Sequence, residues 1–230
     1  MNTKRVVVFG GYGLAFGAAF ANTGLLLHTG ISVSHLTGDM ARLTIGVARW
    51  SPEMLPDVIR VSTAAVCFFF GALLAGLLVH NPTLDFKRPY GRAITGIGIL
   101  WLMASVFVGR FPVLGIAFSA LGCGIQNALA AHYRGIMLRT THLTGMFTDF
   151  GSMLGMRLRG HDIPMWKIMV PFLLIVSFFC GGVVSAVIQL HGLDSIRIAG
   201  AGYCVAGITW SVWKHGFPRR GSDATPASDR

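Results

Sequence analysis

The tetrapeptide His35-Leu36-Thr37-Gly38 returns as His142-Leu143-Thr144-Gly145, 107 positions later. Each copy offers an imidazole that titrates near neutral pH, a threonine hydroxyl suited to capping a helix start, and a glycine that admits close approach to the backbone. The positive end and unpaired N–H groups of a helix start attract anions and polar solutes. Charged residues flank both copies. Arg42 and Asp149 stand 107 positions apart, so they either pair across a repeat axis or both face water. Asp39 has Met146 as its equivalent and breaks the symmetry. It is either a proton or cation site, or an acid placed in a first helical turn by the dipole. Gln126 and Asn127 fall inside an apolar run. Two amides there either hydrogen-bond between helices or line a pathway, and Asn22 carries the same two readings. Gly151-Ser152-Met153-Leu154-Gly155 is too weak a pattern for a serine nucleophile. No catalytic residue and no cofactor is expected.

These residues need elements to hold them, and composition says which. Of 230 residues, 53% are hydrophobic and 12% charged, with mean hydropathy +0.63. Soluble domains carry about 25% charge. The composition excludes a soluble enzyme, a disordered chain and a nucleic-acid module, despite the net charge of +10. The 30 glycines suit closely packed membrane helices. Apolar runs cover 6–28, 58–79, 93–109, 112–132, 168–190 and 198–213. A bilayer core of about 30 Å needs roughly 20 helical residues, with ~17 as the lower bound. The runs predict six transmembrane helices in an all-α membrane protein. Gly13 and Gly17, Gly71 and Ala75, and Gly181 and Ser185 are small-residue pairs one turn apart, read as helix contacts. Cys67, Cys123, Cys180 and Cys204 all lie in apolar runs without ligand spacing, so neither a disulfide nor a metal site is expected.

The basic residues set orientation. Fourteen of 19 fall on the side shared by both termini, and Arg42, Arg49, Arg60, Arg110 and Arg197 on the other. The positive-inside rule places both termini in the cytoplasm. Trp50, Trp166 and Trp213 stand beside basic residues, as interface anchors do. Residues 1–214 read as one integral membrane domain and 215–230 as a disordered cytoplasmic tail.

The duplication extends beyond the tetrapeptide. Leu36, Met40, Leu43 and Val47 form a helical stripe, and Leu143, Phe147, Phe150 and Leu154 repeat it. Phe68-Phe69-Phe70-Gly71 returns as Phe178-Phe179-Cys180-Gly181. The repeats cover about 6–109 and 112–214. Three spans in each make the second copy enter from the opposite face, an inverted-topology repeat. Each His-Leu-Thr-Gly segment then begins a short helix that is either re-entrant or lies flat at the interface. The link 29–35 can extend about 23 Å, enough to reach mid-bilayer.

Gly11-Tyr12, the first His-Leu-Thr-Gly-Asp, Gly124-Ile125-Gln126-Asn127-Ala128, and Thr140-Thr141 before the second copy together resemble the YoaK-like family. These are bacterial six-helix inner-membrane proteins grouped under a domain of unknown function. The resemblance spans roughly 8–215 and implies fold and an inner-membrane location, without a chemistry. That family's Gly-Tyr-x-Asp-Ala reads Gly11-Tyr12-Gly13-Leu14-Ala15 here, and its Thr-Gly-Asn reads Thr37-Gly38-Asp39. The leading functional expectation is a transporter or permease for a small solute or ion, with a site between the two segments. The alternative is a non-catalytic membrane scaffold or accessory subunit. The expected partners are the bilayer, a small solute or ion and a second copy of the chain, with no nucleic acid.

Overall fold

The computed structural model describes residues 3–49, 51–78, 90–129, 131–133, 136–138 and 140–216. Eight α-helices carry these residues. They are α1 (Thr3–Thr29), α2 (Leu36–Ala48), α3 (Leu55–Leu78), α4 (Tyr90–Val108), α5 (Pro112–Ala128), α6 (Leu143–Leu158), α7 (Met165–Leu190) and α8 (Ser195–Gly216). One 3-10 turn, Pro52–Met54, leads into α3. Local chemistry punctuates them. Gly30 stops α1 with φ 69, and Gly192 stops α7 with φ 78, a left-handed conformation open to glycine. Pro112 opens α5 at the first turn, where its missing N–H costs nothing.

Six helices follow the six apolar runs, and α2 and α6 are the two short helices expected after His35 and His142. Pro52–Leu78, Tyr90–Val108 and Met165–Leu190 are long and apolar enough to cross a membrane; Pro112–Ala128 is a shorter apolar helix. Large apolar side chains stand exposed along them, among them Phe69, Leu77 and Phe179 at 62, 72 and 70%. That surface suits lipid and not water.

The fourth run ends earlier than the sequence suggests. Its helix stops at Ala128, and β1 (Ala131–Tyr133) pairs antiparallel with β2 (Ile136–Leu138), Tyr133 opposite Ile136. Tyr133 and Ile136, which face each other in this pairing, are strand-forming residues. The apolar count alone could not separate the strand pair from a last helical turn. Trp50 and the tail from residue 217 onward lie outside the described residues.

Packing is ordered in pairs. Helix α1 lies on α7, α3 on α5, and α4 on α8. The first pair runs parallel: Ala15 shares a core with Val170 and Leu174, Gly181 meets the Phe16 carbonyl, and His28 meets Gln189 further along both helices. The α4–α8 pair runs antiparallel, with Gly91 against Gly207, Gly98 against Gly200, and Ser105 donating to Asp194 at 2.5 Å. Exchanging the halves α1–α4 and α5–α8 maps α1–α7 onto α5–α3. Close approach needs glycine at these crossings. A Cβ at Gly71 would strike the Leu121 carbonyl, and one at Gly181 the Phe16 carbonyl. Gly17 likewise faces the Tyr203 ring, whereas Gly13 looks into open space and is not at a helix contact.

Candidate functional site

The first His-Leu-Thr-Gly segment is tied to α1 by Asn22, which is buried at 4% exposure. Its Oδ1 accepts from Ser32 Oγ at 3.1 Å and from the Val33 N–H at 3.2 Å. Ser32 Oγ in turn lies 3.1 Å from His35 Nδ1. These bonds fold the link back along α1, so it does not continue outward. The His35 ring meets Phe178 edge-on at 5.9 Å between centroids. Phe178 is midway along α7. At 1.5 Å per residue, it sits about 18 Å along the axis from Trp166. The segment therefore begins α2 at mid-depth of the bundle. Helix α2 then runs back along α3, with Gly46 against Val58 near the start of that helix.

The second segment is held from α5 in the same way. Asn127 Oδ1 accepts from Thr141 Oγ1. Asn22 and Asn127 are themselves 105 positions apart, so each half uses one amide to hold the chain ahead of its histidine. Neighbouring Gln126 is 1% exposed and fully engaged. Its Nε2 donates to the Leu14 carbonyl at 2.9 Å and to Thr140 Oγ1 at 3.2 Å. Its Oε1 lies 3.0 Å from the Tyr203 hydroxyl, which also reaches the Leu14 carbonyl at 3.1 Å. Tyr203 packs on Trp101, 4.5 Å between centroids. This node joins α1, α5 and α8 in the core. Helix α6 descends from it along α7, through Met146 against Val170 and Leu174 and Phe150 against Phe172 at 5.4 Å.

Both helix starts carry histidine, and not threonine, at the cap position, and neither has a side-chain cap. The His35 carbonyl closes the first turn of α2 by accepting from Gly38 N–H at 3.1 Å. The His142 carbonyl accepts from Met146 N–H at 3.1 Å. Thr37 and Thr144 lie one residue inside their helices and do not cap them. Their side chains, with Gly38 and the two histidines, keep accessible surface. Gly145 is half-buried. The two histidines are near neighbours. Burial holds the His35 pKa below its ordinary value, and the charge on His142 pushes it the same way.

Arg42 is not paired with Asp149. Its guanidinium donates to the Gly30 carbonyl at 3.1 Å and lies 3.9 Å from Asp57. Asp149 stays on α6, where its backbone carbonyl accepts from Ser152. Equivalent sequence positions did not fix the depth of each helix on its neighbour, and Arg42 found the carboxylate at the start of α3. Asp39, in the first turn of α2, is 5% exposed. Its pKa is raised by burial and lowered less by Arg42. Among the described residues, no three His, Cys, Asp or Glu side chains gather where they could hold a metal ion.

Sequence reasoning did not single out Tyr203 or Ser32, and it showed Thr140, Thr141 and Phe178 only as parts of motifs, without these contacts. Tyr203 left one signal, a hydroxyl in the middle of an apolar run. Ser32, Thr140 and Thr141 follow Asn22 or Asn127 by 10 to 14 positions, a spacing that only the folded links explain.

No curated protein and no solved structure matches the chain. A family model described as protein of unknown function, DUF1275, matches residues 11–209. The helical architecture, the duplicated segments and this match agree, and the chain belongs to the DUF1275 family as a YoaK-like membrane protein.

Proposed function

We propose that the protein is a non-enzymatic transporter or permease for a small solute or ion, with its site between the two His-Leu-Thr-Gly segments. In this reading α1, α3, α4, α5, α7 and α8 span a bacterial inner membrane with both termini cytoplasmic. Helices α2 and α6 enter from opposite faces as re-entrant half-helices. At 13 and 16 residues they measure about 20 and 24 Å, too short to cross a core of about 30 Å.

Helix directions support the inversion. Six alternating spans require α1 parallel to α7 and α4 antiparallel to α8, which is how they pack. Since α4 and α8 are repeat equivalents, an operation that exchanges them reverses direction across the membrane. The observation that carries the functional reading is the approach of two helix starts without side-chain caps, each led by a histidine, with the charge on His142 felt at His35 and His35 set against Phe178 midway along α7. In a bilayer, irregular polar backbone at that depth is tolerated where it is buried in protein or lines a water-filled cavity. It is also where inverted-repeat transporters place their sites.

The test is flux through proteoliposomes, with sodium, potassium, chloride and small neutral solutes as probes. Gly38 has open space where a Cβ would stand, so Gly38→Leu should fill the opening and leave folding intact. Flux of one probe by the native protein and its loss in the variant support the reading. Equal flux in both would refute the site between the two segments, and none in the native protein would replace the reading with the scaffold or accessory role.

A further inference from the structure

Asp39 is the buried carboxylate of the first half-helix. Among the described residues its Oδ2 has no hydrogen-bond partner, and neither does Ser34 Oγ five residues earlier. The nearest cation along the helix, Arg42, is committed to the Gly30 carbonyl and Asp57. Helix α2 packs on α3, whose charged groups, Asp57 and Arg60, lie 3.8 Å apart at its start. The imidazole of His35 precedes the same turn, with His142 beyond it.

The other half shows what this position is for in packing terms. Met146, the equivalent of Asp39, is 2% exposed in an apolar core with Ala15, Val170 and Leu174. The first repeat therefore places an acid where the second places a methionine. An ionised carboxylate whose Oδ2 is buried without a donor loses hydration at that oxygen without compensation. The dipole of α2 and the charge on Arg42 favour ionisation, while burial opposes it. Burial outweighs the opposing charge, so this carboxyl takes up its proton above the range of an ordinary aspartate.

We propose that Asp39 is a reversible proton-binding site, taking one proton onto its carboxylate to become the neutral acid, and that this links passage through the proposed site to proton uptake. The linkage rests on the transport reading. Proton binding by Asp39 does not.

Infrared spectroscopy of the full chain reconstituted in lipid separates the two. Lowering the pH in potassium buffer should bring up the C=O stretching band of a protonated carboxyl, with a midpoint above that of an ordinary aspartate. Asp39→Asn should abolish that band, and Asp39→Glu should restore a band at shifted frequency. Exchange of potassium for sodium at fixed pH should leave it unchanged. A band absent from the native protein, retained in Asp39→Asn, or displaced by sodium would overturn the inference, the last in favour of a sodium site. With the band established, an inward proton gradient should accelerate uptake of the transported probe in the native protein and not in Asp39→Asn. Flux indifferent to pH in both would overturn the linkage alone. A titrating band without flux of any probe would overturn the transport reading and leave the proton site standing.

Discussion

Adding one methyl group at Gly181 should destabilise the protein, while adding one at Gly13 should not. The Cβ of Gly181→Ala would fall against the backbone carbonyl of Phe16 on α1, with the Phe16 Cα also within 2.9 Å. Ordinary van der Waals contact begins at 3.4 Å, and a helical carbonyl has no rotamer by which to yield. The α1–α7 pair must separate locally by about half an ångström or more. Overpacking of this kind costs about 1–3 kcal/mol. For a chain of this size that corresponds to a fall in Tm of roughly 2–12 °C. Gly71→Ala meets the Leu121 carbonyl on the equivalent crossing, and its loss should be similar. At Gly13 nothing lies within 4 Å. There the helix propensity of alanine should leave stability unchanged or raise it by up to ~1 kcal/mol. Thermal unfolding in detergent, followed by circular dichroism, measures all three. Equal Tm values for Gly13→Ala and Gly181→Ala would refute the close parallel crossing of α1 and α7.

Three further outcomes follow from the same geometry. Gln126→Leu leaves the Tyr203 hydroxyl and Thr140 short of a partner and should cost about 1–3 kcal/mol; Tyr203→Phe should cost less, because Gln126 keeps the Leu14 carbonyl. The two titrating groups at the first segment should act in opposite directions on stability. A carboxyl whose folded pKa is raised adds stability at low pH that is lost as pH rises from 3.8 through the folded value. A histidine whose folded pKa is lowered adds stability at high pH that is lost as pH falls from 6.5. In pH-dependent melts Asp39→Asn should remove the first trend and His35→Gln the second, and variants that track the native profile would contradict the assigned environments. All four cysteines are free and stand on α3, α5, α7 and α8, so gel mobility of the denatured protein should not change on reduction.

Much of this architecture was legible in the sequence because membrane helices announce themselves by continuous apolarity. The six long helices begin and end within a few residues of the runs, apart from the run at 112–132. There a hairpin takes over after Ala128, since strand and helix look alike in a short apolar stretch. The short helices were legible too, from the stripes at Leu36 and Leu143. Which residue caps them was not. A Thr-Gly pair suggests a capping threonine, but the asparagine-held links turn two residues sooner and put the histidines at the cap. The Arg42 contact also escaped prediction. Repeat offset says which residues are equivalent, and it says nothing of how far one helix slides along the next. Asn22 and Asn127 showed as costly amides in apolar runs, but their task of holding the links could be read only after folding.

The proposed transport site requires convergence of the two His-Leu-Thr-Gly segments within the membrane. Spin labels at Thr37 and Thr144, both exposed, in a cysteine-free background reconstituted in lipid, measure it by pulsed electron resonance. A first helix start set against Phe178, with His142 close enough for its charge to be felt at His35, predicts a single distance well short of the bilayer core of about 30 Å. Two segments lying flat on opposite faces would give a distance at or beyond that thickness, and this result would contradict the site, the half-helices and the transport reading together.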